Sequence, residues 1–508
     1  MFRPYDQKQT FLLPPSMSDF LNESHPAHMI NDIVDLLDLT ILETRYGTMG
    51  QPAYHPRLML KVILYGFTVG IFSSRKLQRA CEENLAFKYL AGMETPAFKT
   101  FIEFRRRHRE DMKAVFVQTV KLAREMGLAK LVAVALDGCK IDADTSKHKA
   151  MSYGRMLEEE KRLKAETESL LKKADETDAN EEDEHGPNGD GYRLSEDLSR
   201  RQQRLEKIEQ AKASLEQREN QANPGKPIDV KKQISFADHD ARCHAKPGMG
   251  TRYVYNAQAA VDMDSQVIVE NHIEDSVQDS HGAEAALKTM KEDLGLLPKK
   301  LVADAGYGNK VTIDACRAHE VIPVCATSRE GKGSETCSNL SAFSYDRAQD
   351  RFACPHGHIF EFENPEKKDR VYRSVGAVSC GCSHRTFKDG RGAIYVWPGY
   401  FSKKELQRIM DESGNREIYR RRKCTIEPAF RQIQVGMGFL RFFYRGKKNV
   451  SSEWNLICAA FNVKKMAALM RKPGVWAKIL AQLGEYVRSL RFWLAQATLC
   501  ATPTLQYG

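Results

Sequence analysis

From Pro56 to about Gly127 apolar side chains recur at helical spacing, beginning with Leu58, Leu60, Val62, Ile63 and Phe67. Ser73-Ser74 is placed to cap a second helix. Thr95-Pro96 opens a third, which carries Phe98, Phe101, Ile102 and Phe104 beside Arg105, Arg106, Arg107, His108 and Arg109. Three short helices ending in an arginine-rich one fit a helix-turn-helix-like DNA-binding module. A helical domain whose basic run is only a solvated face fits nearly as well.

The period then changes. Residues 131–136 form a short β-rich apolar run without clean alternation, the pattern of a strand buried on both faces, and the run ends on Asp137-Gly138. Residues 253–261 and 266–270 read as a hairpin turning at 262–265. A helix follows around 283–294, and a second buried run, 300–303, ends on Asp304. Between the first strand and the hairpin, Met156, Leu163 and Leu170 repeat every seven residues. Leu194, Leu198, Leu205, Ile208 and Leu215 follow a 4-3 spacing interrupted by Arg201 and Lys212. This predicts an antiparallel, coiled-coil-like helical hairpin inserted into a sheet domain, turning at 185–191 and returning to the sheet at 223–227. From about Tyr400 the chain is again helical and very basic. Two amphipathic helices at 454–470 and 476–494, short of membrane length, are expected to close the core.

Composition narrows the class. With 508 residues the chain has room for roughly three domains of ~100–200 residues. A content of 42% hydrophobic and 28% charged residues excludes wholesale disorder and a fibrous architecture. No apolar run approaches the ~18 residues of a membrane span, and residues 1–6 lack the apolar stretch of a secretion signal, so a cytoplasmic location is expected. The net charge of +10 is mild, but it is unevenly spread. Residues 155–222 hold 19 acidic and 13 basic side chains, a net of −6, so the rest of the chain carries +16. Residues 411–450 alone hold ten Lys and Arg against four acids. Such an uneven basic surface is the footprint of a polyanion partner.

Twelve cysteines without dense regular spacing fit reduced thiols. One cluster stands out: Cys354, His356, His358, Cys380, Cys382 and His384 lie within 31 residues. The spacing differs from a standard C-x2-C knuckle, so a reduced, loop-rich insert is favoured over a structural zinc at Cys354, Cys380 and Cys382.

Two buried strands that each end on an aspartate, with Glu427 set among arginines on a later helix, form a constellation suited to phosphoryl transfer. Hard oxygen ligands converging from different elements would hold two Mg²⁺ (or Mn²⁺) ions roughly 3.5–4 Å apart, activating an attacking oxygen and stabilising a leaving one. Surrounding Lys and Arg would hold the phosphodiester backbone. Asp142 and Asp144 lie beyond the strand end, while Asp238 and Asp262 are better placed to organise loops.

Nearly end to end, the sequence resembles the DDE transposases of bacterial insertion sequences, in the group with a helical insertion after the first catalytic strand. The resemblance rests on Tyr54-His55-Pro56, Tyr65-Gly66, Gly70-Ile71 with Ser73-Ser74-Arg75-Lys76-Leu77, and Phe104-Arg105. It continues through Leu136-Asp137-Gly138, Tyr255-Asn256-Ala257-Gln258 with Val261-Asp262, and Ala303-Asp304-Ala305-Gly306-Tyr307. It ends on Tyr419-Arg420-Arg421-Arg422-Lys423, Glu427-Pro428-Ala429-Phe430 and Gly438-Phe439.

The resemblance implies an α/β, RNase H-like mixed-sheet catalytic core with an α-helical N-terminal domain. Asp137, Asp304 and Glu427 would be its catalytic acids and its Mg²⁺ ligands. It implies strand cleavage at the element's ends and attack of the 3′-hydroxyl on target DNA, in a protein that is nucleoid-associated when bound to DNA. Double-stranded DNA, as terminal inverted repeats and target, would be the partner, with a homodimer bringing the two ends together and no membrane involved. DNA contacts would come from Arg105, Arg106, Arg107, Arg420, Arg422, Lys423 and Arg431. Tyr307 would either stack on a base or sit in the core.

The implied domains are 1–127 (helical), 128–154 with 223–335 (catalytic core, first part), 155–222 (helical hairpin), 336–400 (Cys/His-containing insertion), 401–472 (catalytic core, second part) and 473–508 (helical tail). Two departures stand out. Four residues rather than three separate Arg422 from Glu427, and Gln434 stands where related transposases have a lysine, with Arg431 and Arg441 as basic substitutes. Lys388 stands where relatives tend to have a last cysteine of the insert, which makes zinc less expected here than in them. A decayed or repurposed DNA-binding descendant, or a two-metal nuclease that cuts without joining, would carry much the same residues.

Overall fold

The computed structural model describes residues 16–471, apart from 48–51, 182–190, 247, 249, 328–339, 367–368 and 398. The helix expected at 476–494 and the tail at 473–508 lie outside the described residues, as do the turn of the hairpin and the side chains of Leu194 and Leu198.

The N-terminal part is helical: α1 (Pro26–Asp35), α2 (Thr40–Glu43), α3 (Pro56–Thr68), α4 (Ser74–Glu83), α5 (Leu85–Leu90), α6 (Phe98–Arg107) and α7 (Met112–Glu125). Five helices therefore stand between 56 and 127, where the periodicity suggested three. The extra boundary between α4 and α5 is a single residue, Asn84, whose side chain accepts from the backbone N–H groups of Ala86 and Phe87 and so starts a new helix at once.

The central sheet is built from β1 (Ala133–Asp142), β4 (Arg242–Lys246), β5 (Gly250–Asp262), β6 (Ile268–Glu274), β7 (Lys300–Ala303) and β8 (Ile322–Cys325), with β2 (Ala150–Ser152) and β3 (Gln233–Ser235) pairing separately. Its order is β4-β5-β1-β7-β8, and β6 continues the β4 side along the edge of β5. β5 runs antiparallel to β1, whereas β7 and β8 are parallel. Val134, Ala135 and Leu136 are fully buried, as their continuous apolar run required. Asp137 does not end the strand. β1 runs on to Asp142 against β5, and Asp137 sits where β7 stops, one step past the last parallel pair, Leu136 with Ala303.

Helices α10 (Gly282–Leu294) and α11 (Lys310–Ala318) connect the later strands, and α8 (Tyr153–Glu181) packs on α9 (Gly191–Ala222) as the inserted hairpin. Met156, Leu163, Ile208, Ala211 and Leu215 form its own small core with Ile234. The two polar interruptions of the repeat are used across the pair: Lys212 Nζ lies 2.8 Å from Glu160 and Arg201 Nε 3.0 Å from Glu166.

The Cys/His segment is not loop-rich. It folds as a six-stranded antiparallel sheet of β9 (Ser344–Asp346), β10 (Arg351–Ala353), β11 (Ile359–Glu366), β12 (Asp369–Ala377), β13 (Arg385–Thr386) and β14 (Arg391–Val396), in the order β13-β14-β12-β11-β10-β9. Phe352, Phe360, Tyr372, Ile394 and Val396 supply its separate core. Three of the strands have two or three residues, and the longer β11, β12 and β14 mix buried and exposed positions without regular alternation, which leaves little periodicity to read.

Helices α12 (Tyr400–Asp411), α13 (Asn415–Arg431) and α14 (Lys447–Met470) complete the described chain. α14 was expected to be amphipathic, but it is buried on nearly every side, between the sheet and the N-terminal helices α1, α3 and α7. Its polar side chains have specific partners. Asn462 accepts from Ile268 N–H at 2.8 Å and donates to Ile268 O at 2.8 Å and Thr119 Oγ1 at 3.2 Å, joining β6 to α7. Trp454 Nε1 donates to Gln258 O. One continuous core consequently runs from Ala27 to Met470, shared by the N-terminal helices and the sheet.

Candidate active site

Because β1 and β7 are parallel neighbours in register, Asp137 and Asp304 emerge side by side. Asp304 follows β7 directly and caps a short 3₁₀ turn, Ala305–Tyr307, accepting from Gly306 N–H at 2.8 Å. Asp137 is bound from two directions: Gly138 N–H donates to Oδ1 at 2.8 Å, and Arg422 Nη1 on α13 donates to Oδ2 at 2.9 Å. Burial pushes the Asp137 carboxyl above its ordinary value. The Gly138 N–H and Arg422 oppose that rise, and the negative charge of Asp304 adds to it. Arg422 is itself buried, and its Nε has no hydrogen-bond partner among the described residues.

On the face of β1 opposite Asp137 lies a polar layer that the sequence pattern did not announce. The ladder pairs Gly138 with Gln258 and Lys140 with Asn256, and on the other side of β5 Gln258 pairs with His272 and Asn256 with Glu274. Asp279 Oδ1 accepts from Lys140 Nζ at 2.8 Å, Asn256 Nδ2 at 2.8 Å and Gln258 Nε2 at 2.7 Å. Glycine at 138 leaves room for this network, since a Cβ there would stand 2.2 Å from Gln258 Nε2 and 2.5 Å from Asp279 Oδ1 and would have to displace those hydrogen-bonded side-chain ends. Tyr307 is fully buried and donates its hydroxyl to Gln258 Oε1, so it is a core residue, not a stacking platform. That bond ties the loop carrying Asp304 to the strand beside Asp137. The available signal was the pair Asn256 and Gln258, two amides at strand spacing in an otherwise apolar run.

Glu427 lies on α13 with Arg422 but faces solvent, and it makes no hydrogen bond or ion pair among the described residues. The same exposed side carries Arg420, Lys423 and Arg431. Beyond Pro428 the helix widens into a π turn, Gln432–Gly436, and Gln434 donates to Cys139 Sγ at 3.0 Å, two residues past Asp137 on β1. The side chain standing in place of the related lysine therefore reaches β1. Arg441 instead donates to Ala143 O, and Asp142 and Asp144 pair with Arg252 and Arg445 away from the two aspartates. Asp238 and Asp262 hold loops, the first through Tyr255 and Gly446, the second through Leu131 and Ser265.

The arginines of α6 divide. Arg105 turns inward, donating to Ser74 Oγ and lying over the Tyr444 ring, whereas Arg106 pairs with Glu103 at 2.7 Å and stays exposed. Arg107 lies over the Tyr46 ring at 5.0 Å. No helix among the described residues is long and apolar enough to cross a membrane.

Adjacent carboxylates on a mixed sheet, roofed by a basic helix, define a site built for a polyanion. Residues 15–107 match the family described as a transposase domain (DUF772), and residues 225–463 match the transposase DDE domain. The second match contains Asp304, Arg422 and Glu427, whereas Asp137 precedes it, ahead of the hairpin. No curated protein matches the chain. The chain belongs to the DDE transposases of the insertion-sequence type, and as such it is a DNA transposase.

Proposed function

We propose that this transposase cleaves DNA at the ends of an insertion sequence and joins those ends to target DNA, using Asp137, Asp304 and Glu427 as metal ligands on an RNase H-like core. The observation that carries the reading is the register that sets Asp137 beside Asp304 under the Arg422 guanidinium. The donor set fits a hard divalent cation: it offers only carboxylate oxygens, and Asp137 and Asp304 repel each other in a site that burial has already made costly for charge. Bound there, Mg²⁺ or Mn²⁺ would supply activation of the attacking oxygen and neutralisation of the leaving one.

The chain's own residues do the rest. Asp137 and Asp304 hold their carboxylates fixed, through Gly138 N–H and Gly306 N–H respectively. Arg422 occupies one Asp137 oxygen and fixes the orientation of that carboxylate. Glu427 stands on α13 between Arg422 and Gln434, both of which reach β1, and its exposure leaves it open to the same groove. Arg420, Lys423 and Arg431 hold the phosphodiester backbone of double-stranded DNA, Arg106 and Arg107 of α6 present a second basic surface, and two copies of the chain bring the two ends together.

Single substitutions Asp137→Ala, Asp304→Ala and Glu427→Ala should each abolish Mg²⁺-dependent cleavage of terminal-repeat DNA while leaving DNA binding intact. Wild-type cleavage by any one of them would remove that residue from the site. A strand-transfer assay completes the test, because cleavage without joining would make the enzyme a nuclease.

A further inference from the structure

We propose that the inserted sheet carries a structural zinc ion held by Cys354, His356, Cys380 and Cys382. The ligand atoms of these four side chains lie within 4.8 Å of one another. They come from two loops at one end of the sheet: the turn between β10 and β11 supplies Cys354-x-His356, and the loop after β12 supplies Cys380-x-Cys382. The one-residue spacings, which argued against a C-x2-C knuckle in sequence, bring alternate side chains from each loop to a common point.

The distances suit a metal and not a disulfide. Cys354 Sγ and Cys380 Sγ are 3.8 Å apart, well beyond the ~2.05 Å of an S–S bond. Zinc–sulfur bonds of about 2.3 Å in a tetrahedron put two sulfurs about 3.8 Å apart. His356 Nδ1 lies 3.3 Å from Cys382 Sγ, close to the roughly 3.5 Å edge of a mixed nitrogen–sulfur pair. A second histidine supports the set from outside: His358 Nδ1 is 3.5 Å from Cys354 Sγ and 3.4 Å from Cys380 Sγ, in position to donate to the thiolates. Cys354 and Cys382 are buried, and both belong to the small core of this sheet.

The sheet also has a need for such a brace. Its core is separate from the main one and small. Sheets of this size bury too little apolar surface to be stable alone and are commonly stapled by a metal. A zinc at this position would cross-link two loops 26 residues apart in sequence and fix the end of the sheet.

The test uses the full chain, purified without added metal and analysed by elemental mass spectrometry. About one zinc per chain is expected. Cys354→Ser and Cys382→Ser should each reduce it to background, with Cys243→Ser as the unaffected control. His358→Ala should keep the metal at roughly 10–100-fold weaker affinity, and His356→Cys should keep it and strengthen the thiolate-to-metal charge-transfer absorption of the cobalt-substituted protein. A zinc-free wild type, zinc retained in Cys382→Ser, or a Cys354–Cys380 disulfide found by mass spectrometry would overturn the assignment. Should the serine variants fail to fold, chelation of the wild type decides: new protease cleavage confined to 340–397 supports the site, and an unchanged digest overturns it.

Discussion

At the scale of single residues, the geometry of the site depends on side chains that never touch substrate. Tyr307 and Gln258 join the two aspartate-bearing segments through one buried hydrogen bond. Tyr307→Phe keeps the ring and its packing but leaves Gln258 Oε1 without its donor. The expected loss is about 1–3 kcal/mol, measured as a shift of the denaturation midpoint, together with weaker cleavage because the Asp304 loop is no longer tied to β5. The two aspartates were legible in the sequence because each follows an apolar run that can only be a buried strand. Their partners were not. Arg422 reads as one more base in Arg420-Arg421-Arg422-Lys423, and only the helix phase, which buries Arg422 while exposing its neighbours, separates it from them. Gly138 gave no signal either, since its requirement comes from Gln258 and Asp279, distant in sequence and closed on it by pairing.

Among elements, the segment between α13 and α14 shows how a buried acid can shape a loop. Glu453, in the first turns of α14, accepts from the backbone N–H groups of Phe443 and Tyr444, and Tyr444 in turn lies under Arg105 of α6. Burial carries the Glu453 carboxyl up to about 8, against the pull of those N–H groups and of Arg105. Unfolded, the same group titrates near its ordinary value of about 4.3. Between the two values the folded chain keeps a proton that the unfolded chain has released, so stability falls as pH rises through this window and levels off above about 8. Glu453→Gln should flatten that decline, which melting curves across the window will show. The elements were legible where the pattern was continuous: β7, α10 and the hairpin helices stand where their periods put them, and β1 contains its apolar run but continues past it to Asp142. The inserted sheet was hidden because its strands are either two or three residues long or mix buried and exposed positions without alternation. α14 was misjudged as amphipathic because Asn455, Asn462, Lys464 and Lys465 imitate a wet face, whereas Asn455 and Asn462 are buried.

For the whole molecule, charge is segregated by element: the acidic balance of 155–222 is confined to a hairpin with its own small core, and α13 carries an exposed basic row. Neutralising any of Arg420, Lys423 or Arg431 by alanine should therefore weaken DNA binding on all sequences alike. Each should lower the slope of log affinity against log salt by about 0.9, measured by titration at several ionic strengths. A residue whose loss leaves the slope unchanged makes no phosphate contact. Chain order adds a different kind of constraint. α14 fills the space between helices made at the start of the chain and a sheet made in the middle, and Asn462 reaches back to Thr119 across 343 positions. As the polypeptide leaves the ribosome, the N-terminal helices and most of the sheet must wait, with their apolar faces uncovered, until residues 447–470 emerge. A chain truncated upstream of that helix should therefore leave both apolar faces uncovered, open to aggregation and proteolysis.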